Sequence, residues 1–235
     1  LFRSIFLPHS YQANDDMRPI ANTVYSRSQL GLPADAFVLC CFNNSYKITP
    51  CEFDIWMRVL SQIEGSVLWL LEANKWVSQN LRNAAQARGI DPSRLIFAPK
   101  LAHHEHLARH SCADLFIDTF NVNAHTTASD ALWAGLPLVT KAGKGFAARV
   151  AASLLTAIGL PELIVETEAA YEALILDLAR SPQQLQTVTE KLAQNRRTSP
   201  LFDAGLLTNH LETGYRAAYQ RWVEQKPPAH IRIAP

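Results

Sequence analysis

Residues 118–135 read Asp-Thr-Phe-Asn-Val-Asn-Ala-His-Thr-Thr-Ala-Ser-Asp-Ala-Leu-Trp-Ala-Gly, and the predicted strands and helices of the chain are organised around them. The apolar run Ala113–Ile117 before it predicts a buried strand, and the apolar positions after Thr127 predict a helix. A strand end, a short polar loop and a helix start therefore face one place. Because the first turn of a helix carries unpaired N–H groups and a partial positive charge, the stretch is suited to holding phosphate oxygens.

Thr127 and Asp130 support two interpretations of this helix start. They fit a Thr-x-x-Asp capping box, which marks many helix starts that bind no ligand. They also fit a phosphate site in which Asp130, one turn inside the helix, receives a sugar hydroxyl. Spacing alone favours the capping box, and the residues leave both interpretations open.

Continuous apolar runs on either side of this stretch predict a parallel sheet. Such runs are typical of strands buried on both faces, and here they alternate with helical patterns. The other predicted strands are Phe37–Phe42, Val67–Leu71, Leu95–Phe97, Leu136–Thr140 and the short Glu162–Val165. The alternation predicts an α/β fold with a doubly wound, Rossmann-like parallel sheet, whose ligands bind outside the carboxyl ends of the strands.

The chain divides into four predicted segments. Residues 1–34 are rich in turn residues and predict an irregular lead-in and connector, and residues 35–165 predict the Rossmann-like ligand-binding lobe. Residues 166–226 predict helices packing on the same lobe, and residues 227–235 predict a loose tail. Because the chain begins with Leu rather than Met, we expect it to be a piece of a longer protein.

Composition limits the classes of partner. The 235 residues are 48% hydrophobic and 18% charged, with a formal net charge of +1, which gives no general attraction to nucleic acid or to anionic membranes. No apolar run approaches the roughly 18 residues that cross a bilayer, and no signal peptide is evident. The four cysteines form no Cys-x-x-Cys pair and predict reduced core residues. We therefore expect a cytoplasmic protein with a small partner.

Side chains suited to binding phosphate follow three of the predicted strands. They are Lys47 after the first strand, His103, His106 and Arg109 after the third, and His125, Thr126, Thr127 and Asp130 after the fourth. Cations and a helix start around one crevice, without a Walker lysine loop or an acidic cluster for magnesium, indicate a diphosphate held by the protein itself. His106 and His110 lie four apart on one predicted helix, but the His-Glu-x-x-His order is absent, so we predict no metal site.

Several segments together resemble one family of enzymes. They are Phe42-Asn-Asn-Ser-Tyr-Lys-Ile, Ser66-Val-Leu-Trp-Leu-Leu, Leu107-Ala-Arg-His, Asn123-Ala-His-Thr-Thr-Ala-Ser-Asp-Ala-Leu-Trp-Ala-Gly and Phe146-Ala-Ala-Arg-Val-Ala. In register through nearly all of residues 20–225, they resemble the O-linked N-acetylglucosamine transferase (SPINDLY) family of glycosyltransferases, in its bacterial type. The resemblance implies the carboxyl-terminal catalytic lobe of a glycosyltransferase B fold, which binds the nucleotide sugar.

The resemblance also implies a role for each candidate residue. Lys47 would be the catalytic residue, supplying charge to the departing diphosphate, and Asn44 would bind the same group. The phosphates would take amides of Thr126 and Thr127, and Asp130 would hold the ribose. The base would be flanked by His106 and Arg109, with His103 near the ribose and His125 stacked beside the nucleotide.

The implied reaction is inverting transfer of N-acetylglucosamine from its uridine diphosphate donor to Ser or Thr hydroxyls of a protein, without a metal or cofactor. The implied partners are an amino-terminal catalytic lobe and tetratricopeptide repeats, without which we expect the chain to bind nucleotide but to transfer little sugar. Two alternatives stay open. The chain could be a nucleotide-sugar-binding or scaffold module without catalysis, or an enzyme that uses another donor, such as GDP-fucose or UDP-glucose.

Overall fold

The computed structural model describes residues 3–235, which form a six-stranded parallel sheet covered by helices. A further pair of short strands, β1 (Ile5–Phe6) and β8 (Ile231–Arg232), lies outside this sheet. The six strands of the main sheet are β2 (Val38–Cys41), β3 (Val67–Leu71), β4 (Leu95–Ala98), β5 (Leu115–Ile117), β6 (Leu138–Lys141) and β7 (Ile164–Val165).

Eight α-helices complete the described part of the chain. They are α1 (Pro50–Gln62), α2 (Lys75–Gln86), α3 (His103–Arg109), α4 (Thr126–Ala134), α5 (Val150–Ala157), α6 (Glu168–Arg180), α7 (Pro182–Asn195) and α8 (Ala204–Val223). Between β2 and β6, each strand is followed by one helix. This is the strand–helix alternation that the sequence predicted.

The strand order of the main sheet is β4-β3-β2-β5-β6-β7, and every neighbouring pair is parallel. The chain moves outward from β2 to β4, returns to β5 beside β2, and moves outward again on the other side. This is the doubly wound order, and its direction reverses between β2 and β5. The predicted fold class is confirmed, and the reversal fixes where a ligand crevice is expected.

Buried apolar residues explain why these runs form central strands. All four residues of β2 and all three of β5 are fully buried, since helices cover both faces of the sheet. On one face α6 packs against α1 and β6. Tyr171 of α6 donates a hydrogen bond to the carbonyl oxygen of Asp118, at 2.8 Å, and so ties this helix to the end of β5.

The two ends of the described chain meet in the β1–β8 pair. Ile5 lies opposite Ile231 and Phe6 lies opposite Arg232. The expectation of a loose tail over residues 227–235 therefore differs from the structure. A two-residue strand has no periodicity to reveal it, and its partner lies more than 200 residues away in sequence.

Candidate functional site

Lys47 and α4 face each other across the point where the strand order reverses. Lys47 lies in the loop after β2, and α4 follows β5. The Lys47 Nζ donates a hydrogen bond to the carbonyl oxygen of Asn123, at 2.9 Å, in the loop that leads into α4. A lysine ammonium has three donors, so two remain for an anion. The lysine and the helix start that the sequence predicted to act together are thus neighbours.

No side chain within residues 3–235 caps the first turn of α4. His125 is the N-cap residue, and its carbonyl oxygen accepts from the amides of Ala128 and Ser129, both at 3.1 Å. The amides of Thr126 and Thr127 have no hydrogen-bond acceptor within residues 3–235. Such uncapped amides, at the positive end of the helix dipole, are a ready site for phosphate oxygens.

The alternative interpretation, a Thr127–Asp130 capping box, is wrong. The Thr127 hydroxyl instead donates to Oδ1 of Asn43, at 2.6 Å. Asp130 is engaged by Arg18 and His103. Both side chains are therefore committed to contacts with other segments of the chain, which spacing within one helix does not reveal.

A buried hydrogen-bond network around Asp118 holds the two loops of the crevice together. Its Oδ1 accepts from the amide of Thr119 at 2.8 Å, from the amide of Ala124 at 2.7 Å and from the side-chain nitrogen of Asn43 at 3.1 Å. Its Oδ2 accepts from the Thr140 hydroxyl of β6, at 2.7 Å. One carboxylate thus joins the loops after β2 and β5 to β6.

The network also sets the protonation of Asp118. Burial raises its pKa from 3.8 to about 6, and the four hydrogen bonds from Thr140, Ala124, Thr119 and Asn43 oppose that rise. Because desolvation penalises the charged form, only these donors keep the carboxylate ionised at neutral pH. Asn43 and Asp118 were not predicted as site residues.

Asp130 lies at the centre of a second cluster, formed with Arg18 and His103. The Arg18 guanidinium donates to Oδ1 of Asp130, and the His103 Nε2 lies 3.2 Å from the same oxygen. The side chains of Arg18 and Asp130 are only 10% and 7% exposed, whereas that of His103 is 53% exposed. The structure therefore brings together His103 and Asp130, the two residues expected beside a ribose.

The ring of His125 bridges two other segments. Its Nδ1 lies 3.4 Å from the Tyr11 hydroxyl, and its Nε2 lies 3.3 Å from the carbonyl oxygen of Ala147. Ala147 belongs to a tight loop in which Gly143 donates to the carbonyl oxygen of Ala148, at 2.7 Å. These contacts fix the orientation of the imidazole at the start of α4.

The residues expected around a base lie on α3, and one of them is fully buried. Arg109 is 0% exposed, donates to the carbonyl oxygen of Pro99 and to Nδ1 of His106, and has its guanidinium 4.7 Å from the ring centre of Phe42. Burial, together with the positive charge of Arg109 and the neighbouring imidazole of His110, lowers the pKa of His106 to about 3. Arg109 therefore contacts His106 from the protein interior, and His106 is the more exposed residue of the pair.

Asn44 lies apart from these clusters. Its side chain is exposed and makes no hydrogen bond within the described residues, although its carbonyl oxygen accepts from the Lys47 amide at 2.9 Å. Its neighbour Asn43 is the asparagine built into the crevice. Adjacent residues after a strand point to opposite sides, so the sequence alone could not decide between them.

Two further observations cover residues 3–235. No group of three or more His, Cys, Asp or Glu side chains is arranged to hold a metal ion there. Over the same range, no helix combines the length and the apolar character that crossing a bilayer requires.

Comparisons with known proteins concern the sequence and the fold of the chain. The sequence profile of glycosyl transferase family 41 matches residues 8–211. The UDP-N-acetylglucosamine–peptide N-acetylglucosaminyltransferase of Caenorhabditis elegans is 35% identical over 223 residues, which cover 95% of this chain and 19% of that protein. The probable UDP-N-acetylglucosamine–peptide N-acetylglucosaminyltransferase SEC of Arabidopsis thaliana is 35% identical over 235 residues, which cover 97% of this chain and 24% of that protein.

A solved structure is similar to this chain in its fold. An O-GlcNAc transferase mutant from Thermobaculum terrenum superposes with a TM-score of 0.74 and 33% sequence identity, covering 79% of this chain and 36% of that chain. The expected glycosyltransferase B fold is thereby confirmed. This chain spans about a fifth to a quarter of the length of the two curated relatives. On the profile match and these identities, the chain belongs to glycosyl transferase family 41.

Proposed function

We propose that this chain is the nucleotide-sugar-binding lobe of a protein O-glycosyltransferase, and that it most readily accepts UDP-N-acetylglucosamine as donor. The observation that carries the proposal is the hydrogen bond from Lys47 Nζ to the Asn123 carbonyl oxygen, which holds the lysine beside the uncapped start of α4. The two relatives described above are named as transferases that use this donor and a peptide.

The donor diphosphate occupies the crevice between the loop after β2 and α4. Its oxygens take the amides of Thr126 and Thr127 and the free donors of Lys47, with Asn44 at the rim. Charge-assisted hydrogen bonds of this kind are roughly twice as strong as neutral ones. The positive end of α4 adds a fixed partial charge on the same side.

The nucleoside lies toward α3. Asp130 accepts a ribose hydroxyl, with His103 beside it, since these two side chains already meet in the structure. His125 lies beside the nucleotide at the helix start. His106 lines the base pocket and is held in place by Arg109 beneath it.

The chemistry is inverting transfer to a Ser or Thr hydroxyl. The hydroxyl oxygen forms the new bond to the anomeric carbon as the bond to the diphosphate breaks, and the hydroxyl proton leaves to a base or to water. Negative charge grows on the departing diphosphate, so the Lys47 ammonium and the α4 amides stabilise the transition state more than the ground state. We propose that this stabilisation replaces a metal ion.

The acceptor protein and the remaining parts of the active site come from outside these residues. We propose that an amino-terminal lobe and tetratricopeptide repeats belong to the parent chain, in the cytoplasm. The 235-residue chain then binds the nucleotide sugar but transfers little or none of it. Detectable transfer to a peptide by this chain alone would contradict this part of the proposal.

A thermal-shift panel tests donor binding directly. A ligand at one hundred times its dissociation constant adds about 2.7 kcal/mol to the free energy of unfolding, which for a domain of this size raises Tm by about 5–10 °C. We expect UDP and UDP-N-acetylglucosamine to give such a rise, and GDP and GDP-fucose to give a smaller one. A larger rise with the guanosine nucleotides would favour a different donor, and no rise with any of them would overturn the proposal.

A non-catalytic binding module is the other function to be separated. Both functions predict donor binding, but only the enzyme requires Lys47 for turnover. In the parent protein, Lys47→Ala should abolish sugar transfer to protein while the fold is retained. Transfer that is unaffected by Lys47→Ala would remove the lysine from the catalytic machinery.

A further inference from the structure

The irregular lead-in contributes a segment that lies along α4. This strap, residues 11–18, contains no helix or strand, yet it contacts successive turns of the helix. Four side-chain contacts join the strap to the helix region. Tyr11 contacts His125, Gln12 contacts Ser129, the Arg18 side chain contacts Asp130, and the Arg18 carbonyl oxygen accepts from Trp133. The strap therefore follows the helix that begins at the diphosphate site.

Hydrogen bonds fix the strap at both edges. The Gln12 side chain donates to the Ser129 hydroxyl at 2.8 Å, and the Trp133 indole donates to the Arg18 carbonyl oxygen at 3.0 Å. The buried Asn14 also donates to the carbonyl oxygen of Leu201, at 3.1 Å, in the segment just before α8. A segment without regular structure is thus held in one conformation, which fixes where the Arg18 guanidinium can lie.

Arg18 and Asp130 form an ion pair that is largely shielded from water. A buried charge is costly unless it is paired and hydrogen-bonded, so each member requires the other. Both partners of Asp130, Arg18 and His103, use its Oδ1. Its Oδ2 accepts no hydrogen bond from residues 3–235, and it is not among the fully buried, unpartnered side-chain atoms.

This division of hydrogen bonds between the two carboxylate oxygens of Asp130 indicates that the strap has a role in ligand binding. A carboxylate anchored through one oxygen presents the other in a fixed direction, and an oriented acceptor loses less entropy when it binds a hydroxyl. A carboxylate without the arginine would be free to rotate about its side-chain bonds, so its second oxygen would no longer have a fixed direction. Arg18 lies outside the sequence motifs that pointed to the crevice.

We infer that Arg18 is a positioning residue of the donor site: by holding Oδ1 of Asp130 it aims Oδ2 at a ribose hydroxyl of the bound nucleotide. The inference rests on the proposed function, and it assigns the strap to ribose recognition rather than to phosphate binding or to folding alone. Arg18 acts through Asp130 and does not contact the nucleotide.

Calorimetric titration of this chain with UDP and with 2′,3′-dideoxy-UDP tests the inference, because the second nucleotide lacks both ribose hydroxyls. A hydrogen bond to a charged group that is lost from a site weakens binding by about tenfold or more. We expect the wild type to prefer UDP by such a factor. Arg18→Gln should lose most of this preference by weakening UDP alone, and Arg18→Lys, which keeps the cation, should recover part of it.

Two further variants separate this role from others. Asp130→Asn should reproduce the loss of preference, and combining it with Arg18→Gln should add little, since the two residues act as one unit. Arg27→Gln is the control, because Arg27 also forms an arginine–aspartate ion pair: its Nη2 contacts both carboxylate oxygens of Asp114, at 2.8 and 2.9 Å, at the opposite end of β5. It should lower Tm without changing the preference.

Each other outcome overturns the inference in a recognisable way. If Arg18→Gln weakens both nucleotides equally, Arg18 acts on the phosphates or on the fold as a whole. If it weakens neither, the strap has no role in binding. A wild type that binds UDP and dideoxy-UDP equally removes Asp130 from ribose recognition, and a wild type that binds no nucleotide overturns the proposed function itself.

Discussion

His110 should make the fold sensitive to acid, by an amount that follows from its surroundings. The imidazole is buried, its Nδ1 lies 2.7 Å from the carbonyl oxygen of His106, and its Nε2 has no hydrogen-bond partner among the described residues. Burial, assisted by the positive charge of the neighbouring Arg109, lowers its pKa from 6.5 to about 4. The folded protein therefore holds His110 neutral at a pH where the unfolded chain has already protonated it.

The sign and size of the effect follow from proton linkage. Between pH 6.5 and 4 the unfolded state binds more protons at this site, so the free energy of unfolding falls as the pH falls. One pKa unit corresponds to about 1.4 kcal/mol, so His110 removes about 2 kcal/mol by pH 5 and about 3 kcal/mol once the pH is below 4. Above pH 7 the contribution is fully present.

Urea unfolding at a series of pH values from 7.5 to 4.5 measures this loss. His110→Phe should cost about 1 kcal/mol at pH 7.5, because it removes one hydrogen bond, but its stability should then fall less steeply with acid than that of the wild type. The two curves should converge or cross near pH 5 to 6. His104→Gln, at a ring exposed to water, is the control and should follow the wild type. Parallel curves for wild type and His110→Phe would show that protonation of His110 does not cause the loss of stability in acid.

Two remaining predictions concern the loops of the crevice. Asp118 should affect stability in the opposite sense to His110, because its pKa in the folded state is raised to about 6. As the pH rises from about 4 to 6, its ionisation should lower the free energy of unfolding by about 3 kcal/mol in total. Asp118→Asn should remove this pH dependence in the same urea series. A Cβ at Gly143 would lie 2.6 Å from the Cβ of Ala148, so Gly143→Ala should cost about 1–3 kcal/mol of stability by overpacking and should lower Tm in calorimetry. Gly145→Ala is the control: a Cβ there meets nothing within 4 Å among the described residues, so Tm should not fall.

The doubly wound, parallel class of the sheet could be predicted from the sequence because its strands are apolar runs that alternate with helical patterns. Runs such as Phe37–Phe42 must be buried on both faces, and their alternation with helical patterns leaves few topologies. The meeting of Lys47 with the start of α4 followed from the same rule, since parallel strands present their carboxyl ends at one edge.

The parts of the site that were not predicted depend on contacts between distant segments. Arg18 pairs with Asp130 across 112 positions of sequence, from a segment with no periodicity to place it. Asn43 and Asp118 bond to each other across 75 positions. No local sequence pattern shows which distant residues will be in contact. For the same reason the spacing at Thr127 favoured a capping box, whereas the side chains of Thr127 and Asp130 bond to other segments of the chain in the structure.

The burial of Arg109 is another feature of the site that the sequence did not reveal. A cation in a phosphate-rich site is expected at the surface, but this guanidinium lies over Phe42 and within 5.8 Å of the ring centre of Trp69. Arginine tolerates such a position because its planar, weakly hydrated group stacks on aromatic rings. Sequence gives the residue type, and only packing shows whether its charge faces a ligand or a ring.

Titration with UDP tests whether Lys47 and the start of α4 together bind the donor diphosphate. UDP is titrated into the wild-type chain, into Lys47→Met and into Lys191→Met. Lys191 lies on α7, away from the crevice, and pairs with Glu162. We predict that Lys47→Met weakens UDP binding by about 10- to 100-fold, the worth of a charged hydrogen bond, while Lys191→Met binds as the wild type does. Equal affinity of the wild type and Lys47→Met for UDP would contradict the account.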